Sequence, residues 1–487
     1  MESWLDTINS TNDDFWLWLL IPVLALVSLI YIVRTRVVQI RLLPAMFRTI
    51  GEAPATAPDG KKATSAFQAF AISSAARIGT GNVVGVSIAI ATGGPGAILW
   101  MWIMGVVVSA AAFAESTLAQ LYKVRTDIGY RGGPAYYMLH GLGRKWMGAL
   151  FAVVLILTYP LTFNTVQANT ATNALTDAFA AADLDVGSDV NILIGLGLAA
   201  LVGLIIFGGL RRIAHTTQLL IPFMALLYLI IGTAVVIVNL DAVPGVFQNI
   251  FESAFGIRAI GGATLGTVFV IGIQRGMFSN EAGMGSAPNA GATASVSHPV
   301  KQGLTQAFGV YFDTLFVCTI SALIVLTANP QYGENVGAQL ITDGVTSSLG
   351  AWAIYPLTLI LLLFTFTSSL GNYYYGESNT EFLSQSPVAL NLVRSLVVFA
   401  VFFGSVASLD LVWSLANISM GIMALINLIA VGALTGVTIT LLRDYDHKRR
   451  QGIDPVFRKD DYPAMSGVQV WDDNMTQEQP RRSDSTE

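Results

Sequence analysis

Charge is scarce in this 487-residue chain. Only 12% of its residues are Asp, Glu, Lys or Arg, about half of the roughly 25% carried by a soluble domain. Together with 53% hydrophobic residues and a mean hydropathy of +0.61, this marks a polytopic membrane protein rather than a soluble enzyme. Cysteine is nearly absent. The single Cys318, in an apolar run, allows no intrachain disulfide and no thiolate metal site. Four histidines are scattered at His140, His215, His298 and His447. No metal-ligand cluster, nucleophile motif or phosphate-binding loop accompanies them, so an integral-membrane enzyme finds no support and no cofactor or nucleic-acid partner is expected. Repeated pore motifs and rings of charge, which mark channels, are missing too. The first apolar run follows an acidic start without a basic leader, which reads as a retained helix, not a cleaved signal.

What the chain has is apolar length. A membrane span takes about 20 mostly apolar residues. On that rule eleven spans are expected, at 15–34, 66–92, 96–122, 147–182, 190–208, 214–239, 258–278, 302–328, 349–372, 387–408 and 411–442. Basic residues gather in alternate loops: Arg36, Arg41, Arg48, Lys61 and Lys62, then Lys123 to Lys145, Arg211 and Arg212, Arg275 and Lys301, and Arg443 to Lys459. Residues 1–14 and the opposite loops are acidic, with Arg258 their one basic residue. Positive loops lie inside, so the N-terminus is expected outside and the C-terminus in the cytoplasm, with the chain in the plasma (inner) membrane. The tail, 443–487, is expected to begin as a short helix and end disordered. Val38–Pro44, within the 35–65 linker, and Pro244–Phe255, within 240–257, read as amphipathic surface helices.

One span is broken. In the middle of 66–92 stands Gly79-Thr80-Gly81-Asn82, just after Arg77. Glycine weakens a helix, and exposed backbone at mid-depth is tolerated only where protein or a water-filled cavity surrounds it. Such discontinuous helices mark transporter binding sites; a helix-packing glycine pair is the plainer alternative. With 15–34 set aside as peripheral, ten spans divide into 66–239 and 258–442, five in each. The first span of the second half, 258–278, is also rich in glycine, at Gly261, Gly262, Gly266 and Gly272. Paired broken segments point to an inverted-repeat transporter.

These stretches resemble the alanine or glycine:cation symporter family. The resemblance rests on Ala76–Val86, Gly93–Trp102, Gly132–Met138, Tyr374–Glu377 and, most specifically, Arg275–Pro288, and it covers roughly residues 60–440 in order. It implies a LeuT-type 5+5 core with one extra N-terminal helix, and sodium- or proton-coupled uptake of small neutral amino acids. Alanine and glycine are the expected substrates, with serine and D-alanine left open, as is the oligomeric state.

A zwitterion needs donors for its carboxylate and acceptors for its ammonium. Freed amides at Gly79, Thr80 and Gly81, at the start of a half-helix, suit the carboxylate. Carbonyls near Gly266 and Thr267, or the side chains of Gln167 and Asn164, suit the ammonium; an interhelical hydrogen bond is the other reading of Gln167. Phe269 and Gly272 share a helix face, where Phe269 either caps the substrate methyl or packs. Asn82 lines a second cation position or holds the turn. The resemblance places sodium on Thr367 and Ser368, with the carbonyls of Ala75, Ile78 and Phe364; bonding of these hydroxyls to their own preceding turn is the alternative. Charges within spans are suspected of function. Arg275, Glu281 and Glu377 are expected in an inner-gate or loop network. Asp313 is expected to be structural, and Arg77 either pairs with Glu115 or faces an inner vestibule.

Overall fold

A chain in lipid must close its own backbone hydrogen bonds, so apolar runs of this length fold as helices. The computed structural model describes residues 10–52, 64–126, 129–184, 186–187, 189–256, 264–330, 332 and 337–471. In chain order its main helices are α1 (Ser10–Arg34), α2 (Ala66–Arg77), α3 (Gly81–Gly93), α4 (Ala97–Leu121), α5 (Lys145–Ala181), α6 (Val190–Ile206), α7 (Arg212–Val238) and α8 (Val243–Ala254). There follow α9 (Leu265–Asn280), α10 (Ala287–Gly291), α11 (Pro299–Thr327), α12 (Gly337–Leu349), α13 (Ala351–Leu383), α14 (Pro387–Val406), α15 (Leu411–Ala433) and α16 (Thr435–Arg450). Among the described residues eight helices are long and apolar enough to cross a membrane, or nine if α2 and α3, bent by 53° at their break, count as one span. The shorter α6 and α9 occupy the two remaining expected positions. Every expected segment thus coincides with a helix or, for 66–92, with the α2–α3 pair.

Three boundaries moved, each for a physical reason. The segment expected at 258–278 runs as α9 from Leu265 to Asn280, capped where Thr264 Oγ1 accepts from Thr267 N at 3.2 Å; Gly261 and Gly262 lie outside the described residues. Helix α13 continues past 372 to Leu383. Hydropathy misses these last turns because their polar residues are buried against protein: Asn372 Nδ2 donates to Asn164 Oδ1 at 3.0 Å and Asn379 Nδ2 to Asn289 Oδ1 at 2.9 Å. The last expected span, 411–442, ends at Ala433, and the chain turns at Leu434 into the separate α16.

The amphipathic stretches form helices Val38–Arg41, Leu43–Ile50 and α8. A short hairpin pairs Val124–Thr126 with Gly129–Arg131 in antiparallel register. From it Arg131 reaches α13, bonding Glu377 at 3.0 Å and Glu381 at 2.7 Å. Within the bundle α4 packs on α9 and α11, while α5 packs on α13 and α14, so the α2–α3 break is enclosed between the two groups. The tail does not end as a loose chain at α16. Residues 451–471 fold back: Phe457 N donates to Ser297 O at 2.9 Å, and buried Trp471 donates from Nε1 to Gln120 O at 3.2 Å. Residues 472–487 lie outside the described part.

Candidate functional site: the first helix break

The break in the first half is short of partners. A capping box between Ser65 and Gln68 starts α2, and Ile78 leaves helical geometry with ψ at 85°. Gly79 N then donates to Arg77 O at 3.0 Å and to Asn82 Oδ1 at 3.2 Å instead of reaching back to Ala75 O. The Ala75 carbonyl is thereby released from the helix ladder. Thr80 N meets Gln167 Oε1 of α5 at a long 3.4 Å. Ser321 Oγ of α11 holds the far side by donating to Asn82 O at 2.6 Å. Thr80 Oγ1, Asn82 Nδ2 and Ser368 Oγ remain buried without a hydrogen-bond partner. Native interiors seldom leave such groups unmatched, so their grouping at one break makes it the candidate site.

The glycines here are required by close approach. A Cβ on Gly79 would stand 2.3 Å from Ser368 Oγ and 3.3 Å from Gln167 Nε2; one on Gly81 would stand 2.6 Å from the Phe278 ring. Gly79, Thr80, Gly81, Asn82, Gln167 and Ser368 therefore meet in one place. Phe278 covers it as part of an aromatic row, 4.5 Å between ring centres from Phe163 and 4.7 Å from Trp413.

Four expected residues lie elsewhere. Gly266 and Thr267 occupy the exposed first turn of α9, where Thr267 Oγ1 bonds Thr264 Oγ1 at 2.8 Å. That end is helical and open, not an unwound mid-membrane segment. Phe269 packs edge-on against Trp100 at 4.8 Å. Gly272 lets α9 pass close to α4, since a Cβ there would meet Ala97 O at 2.6 Å. Phe278, inside the Arg275–Pro288 stretch and two and a half turns further along α9, is the aromatic side chain that stands against Gly81.

The residues proposed for sodium divide as well. Thr367 Oγ1 bonds its own preceding turn, to Leu363 O at 2.9 Å and Phe364 O at 3.1 Å, and touches Met224 Sδ at 3.3 Å. Ser368, the next residue, faces Gly79 and keeps its hydroxyl free. Asn164 serves the α5–α13 contact through Asn372.

The second half does have a break, at the other end of α9. Glu281 adopts left-handed geometry with φ at 57°, and Gly283 and Gly285 both have φ at 81°. Here the groups are matched. Ala282 N donates to Asn280 Oδ1 at 2.9 Å, and Gly283 N to Glu115 Oε1 at 3.3 Å. Asn427 Nδ2 donates to Glu115 Oε2 at 2.7 Å and to Gly283 O at 2.9 Å, and Tyr137 bonds Asn427 Oδ1. Glu281 Oε2 accepts from Ser286 at 2.8 Å and Tyr375 at 3.3 Å. Arg77 pairs with Asp313, Nε to Oδ2 at 3.1 Å and both buried, and not with Glu115. Arg275 does not join Glu281 or Glu377: it stacks on Trp413 at 4.3 Å, beside Gln274, whose side chain reaches Asp13 near the start of α1.

Two packed halves, each with an interrupted helix, and buried unpaired polar groups at the first interruption fit a secondary transporter of inverted-repeat architecture. The sodium:alanine symporter family model matches residues 1–459, and the chain belongs to that family. It is 45% identical over 477 residues to the amino-acid carrier protein AlsT of Bacillus subtilis, covering 97% of this chain and 99% of that one. It is also 45% identical over 465 residues to the probable sodium/glutamine symporter GlnT of the same organism, covering 95% of each. A solved structure, MhsT in complex with L-phenylalanine, superposes with a TM-score of 0.55 at 10% identity over 81% of this chain and 99% of that one. The fold is the LeuT type.

Proposed function

We propose that this protein carries a small neutral amino acid, alanine or glycine, inward together with sodium by alternating access. The observation that supports this most is the set of buried, unpaired groups at Thr80, Asn82 and Ser368 around a backbone that admits no side chain. The substrate carboxylate takes the Gly79–Gly81 amides at the N-terminal end of α3, where the helix dipole favours negative charge. Its ammonium takes Gln167 Oε1, which now holds Thr80 N only at 3.4 Å. Phe278, whose ring stands against Gly81, closes over the substrate side chain. Sodium, a hard cation, takes the Ala75 and Ile78 carbonyls and Ser368 Oγ; Thr367 and the Phe364 carbonyl join once the Thr367 hydroxyl turns away from its own helix. The arginine- and lysine-rich face lies in the cytoplasm and the N-terminus outside, in the inner membrane.

Proton coupling is the second reading, favoured by one observation: the buried Arg77–Asp313 pair beside the break. Uptake of labelled alanine into proteoliposomes separates the two. Accumulation driven by inward sodium and competed by glycine, serine or D-alanine supports the proposal. Accumulation driven only by inward protons replaces sodium, and preferential competition by glutamine moves the substrate to a larger amide.

A further inference from the structure

Three hydrogen-bond donors lie orphaned one turn from the substrate cleft. Arg275 is 7% exposed, and its Nε and Nη1 have no hydrogen-bond partner. Its guanidinium sits 4.3 Å over the Trp413 ring. The Trp413 indole Nε1 is also buried and unpartnered. Among the described residues no carboxylate comes within ion-pair distance of Arg275. Exposed Asp13 acts on it only through space, beyond ion-pair distance, and itself accepts from Gln274 Nε2 at 3.4 Å. A buried guanidinium without a bonded anion is costly, and buried indole N–H groups normally find an acceptor. Four residues along α15 from Trp413, on the same helix face, Asn417 Oδ1 is a buried acceptor that also lacks a partner.

We propose that Arg275 and Trp413 form an outer anion site that receives the carboxylate of an incoming amino acid, with Asn417 Oδ1 taking its ammonium. The site lies on the route to the cleft, because Trp413 contacts Phe278 and Phe278 covers Gly81. It stands on the N-terminal side of the bundle, beside the start of α1 and away from the basic face. The shared chemistry is a small monoanion with lone-pair acceptors, which chloride also satisfies. A single acceptor paired with three donors favours the zwitterion.

The proposal rests on the amino-acid reading above, so the full-length protein is tested in two ways. In proteoliposomes, Arg275→Gln is expected to raise the alanine KM about tenfold while changing the maximal rate by less than about twofold. Trp413→Phe keeps the ring and removes only the donor; a rise of about threefold is expected. Replacing chloride by gluconate leaves the wild-type rate unchanged if the occupant is the substrate. A chloride requirement that vanishes in Arg275→Gln keeps the site and names chloride as its ligand. The second measurement needs no transport: acetate stabilises the detergent-solubilised wild type against heat, and does not stabilise Arg275→Gln or Trp413→Phe. Wild-type KM in both variants, or equal acetate stabilisation of all three proteins, overturns the site. Absence of alanine uptake by the wild type with acetate stabilisation intact overturns the transport reading alone.

Discussion

Each half of the molecule interrupts its leading helix, and the two interruptions are finished in opposite ways. At Gly79–Asn82 the neighbours are short neutral side chains, and several of their polar atoms are left without partners. At Glu281–Ser286 two buried carboxylates and two amides answer the turned backbone, and Asn427 ties α15 to it. Sharp left-handed turns are used only in the second. The contrast separates two uses of an irregular backbone. A site for cargo must keep donors and acceptors open until the cargo supplies the match. A fully satisfied polar network instead stiffens the place where it sits.

The comparison breaks most sharply at Gly79. Gly79→Ala puts a methyl 2.3 Å from Ser368 Oγ, at the position proposed for the substrate. Uptake is expected to fall about tenfold or more, while the melting temperature moves little, because a serine hydroxyl can rotate away. A protein that melts early but whose surviving fraction transports normally would make the first break structural like the second.

Glu115 makes the reverse test. Glu115→Ala leaves Gly283 N and Asn427 Nδ2 short of their acceptor in a buried site, at a cost of about 1–3 kcal/mol for each group left unmatched. Denaturation is expected earlier, with the KM of the folded fraction unchanged. Glu115→Gln keeps one acceptor oxygen and loses less. A raised KM without loss of stability would place Glu115 in the transport pathway.

This contrast also explains what could be read in the chain. The spans were legible because apolar length is a direct signal, and the first break was legible because Gly79 and Gly81 interrupt an otherwise apolar run. Glycine content then misdirected the reading of α9. Gly272 serves close packing against α4 and Gly266 sits in an exposed first turn, whereas the true break begins at Glu281 and is carried by Gly283 and Gly285. Its left-handed conformation is held by tertiary partners on α4, α13 and α15, which no local pattern reveals. Phe278 lay in the most specific of the recognised stretches, yet its contact with Gly81 depends on how α9 crosses α3. Arg275 reads as a loop residue because it stands near the end of an expected span; α9 extends beyond it, and the residue faces Trp413.

A finer test lies within the first break. Ser368 and Thr367 are adjacent hydroxyls with different neighbours, one free against Gly79 and one bound to its own helix. Ser368→Ala is expected to raise the sodium concentration for half-maximal uptake about threefold to tenfold, the loss of about one ion-binding contact. Thr367→Ala is expected to change it less. Equal effects would mean that Thr367 turns to the cation fully during transport; no effect from either would remove sodium from this position.

The smallest effect concerns what anchors the second break from below. After α10 the chain reaches His298, which caps α11 by accepting from Val300 N at 3.1 Å and meets Asp444 of α16 at 3.1 Å. Burial pushes the imidazole down to about 4, although Asp444 draws it up and Lys448 and Lys301 oppose that. Burial pushes the Asp444 carboxyl up, but hydrogen bonds from His298, Lys448 and Tyr462 outweigh it and hold the group at about 2. The two act in different windows. As pH falls from about 6.5 towards 4, an undocked chain takes up a proton on His298 that the docked chain refuses, so docking weakens. The Asp444 contribution is lost only below about 3.8. Between pH 7.5 and 5 the tail is therefore expected to become somewhat more open to limited proteolysis, chiefly through His298, with His140, which meets Gln469 of the tail and is also lowered by burial, adding in the same direction. His298→Asn keeps an N-cap acceptor and removes its titration, so its cleavage rate is expected to rise less over that range than that of the wild type. The first break has no part in this pair, and the sodium dependence of uptake at a fixed pH should not change in the variant. Acid-dependent cleavage that persists undiminished in His298→Asn would assign the switch to other groups of the tail.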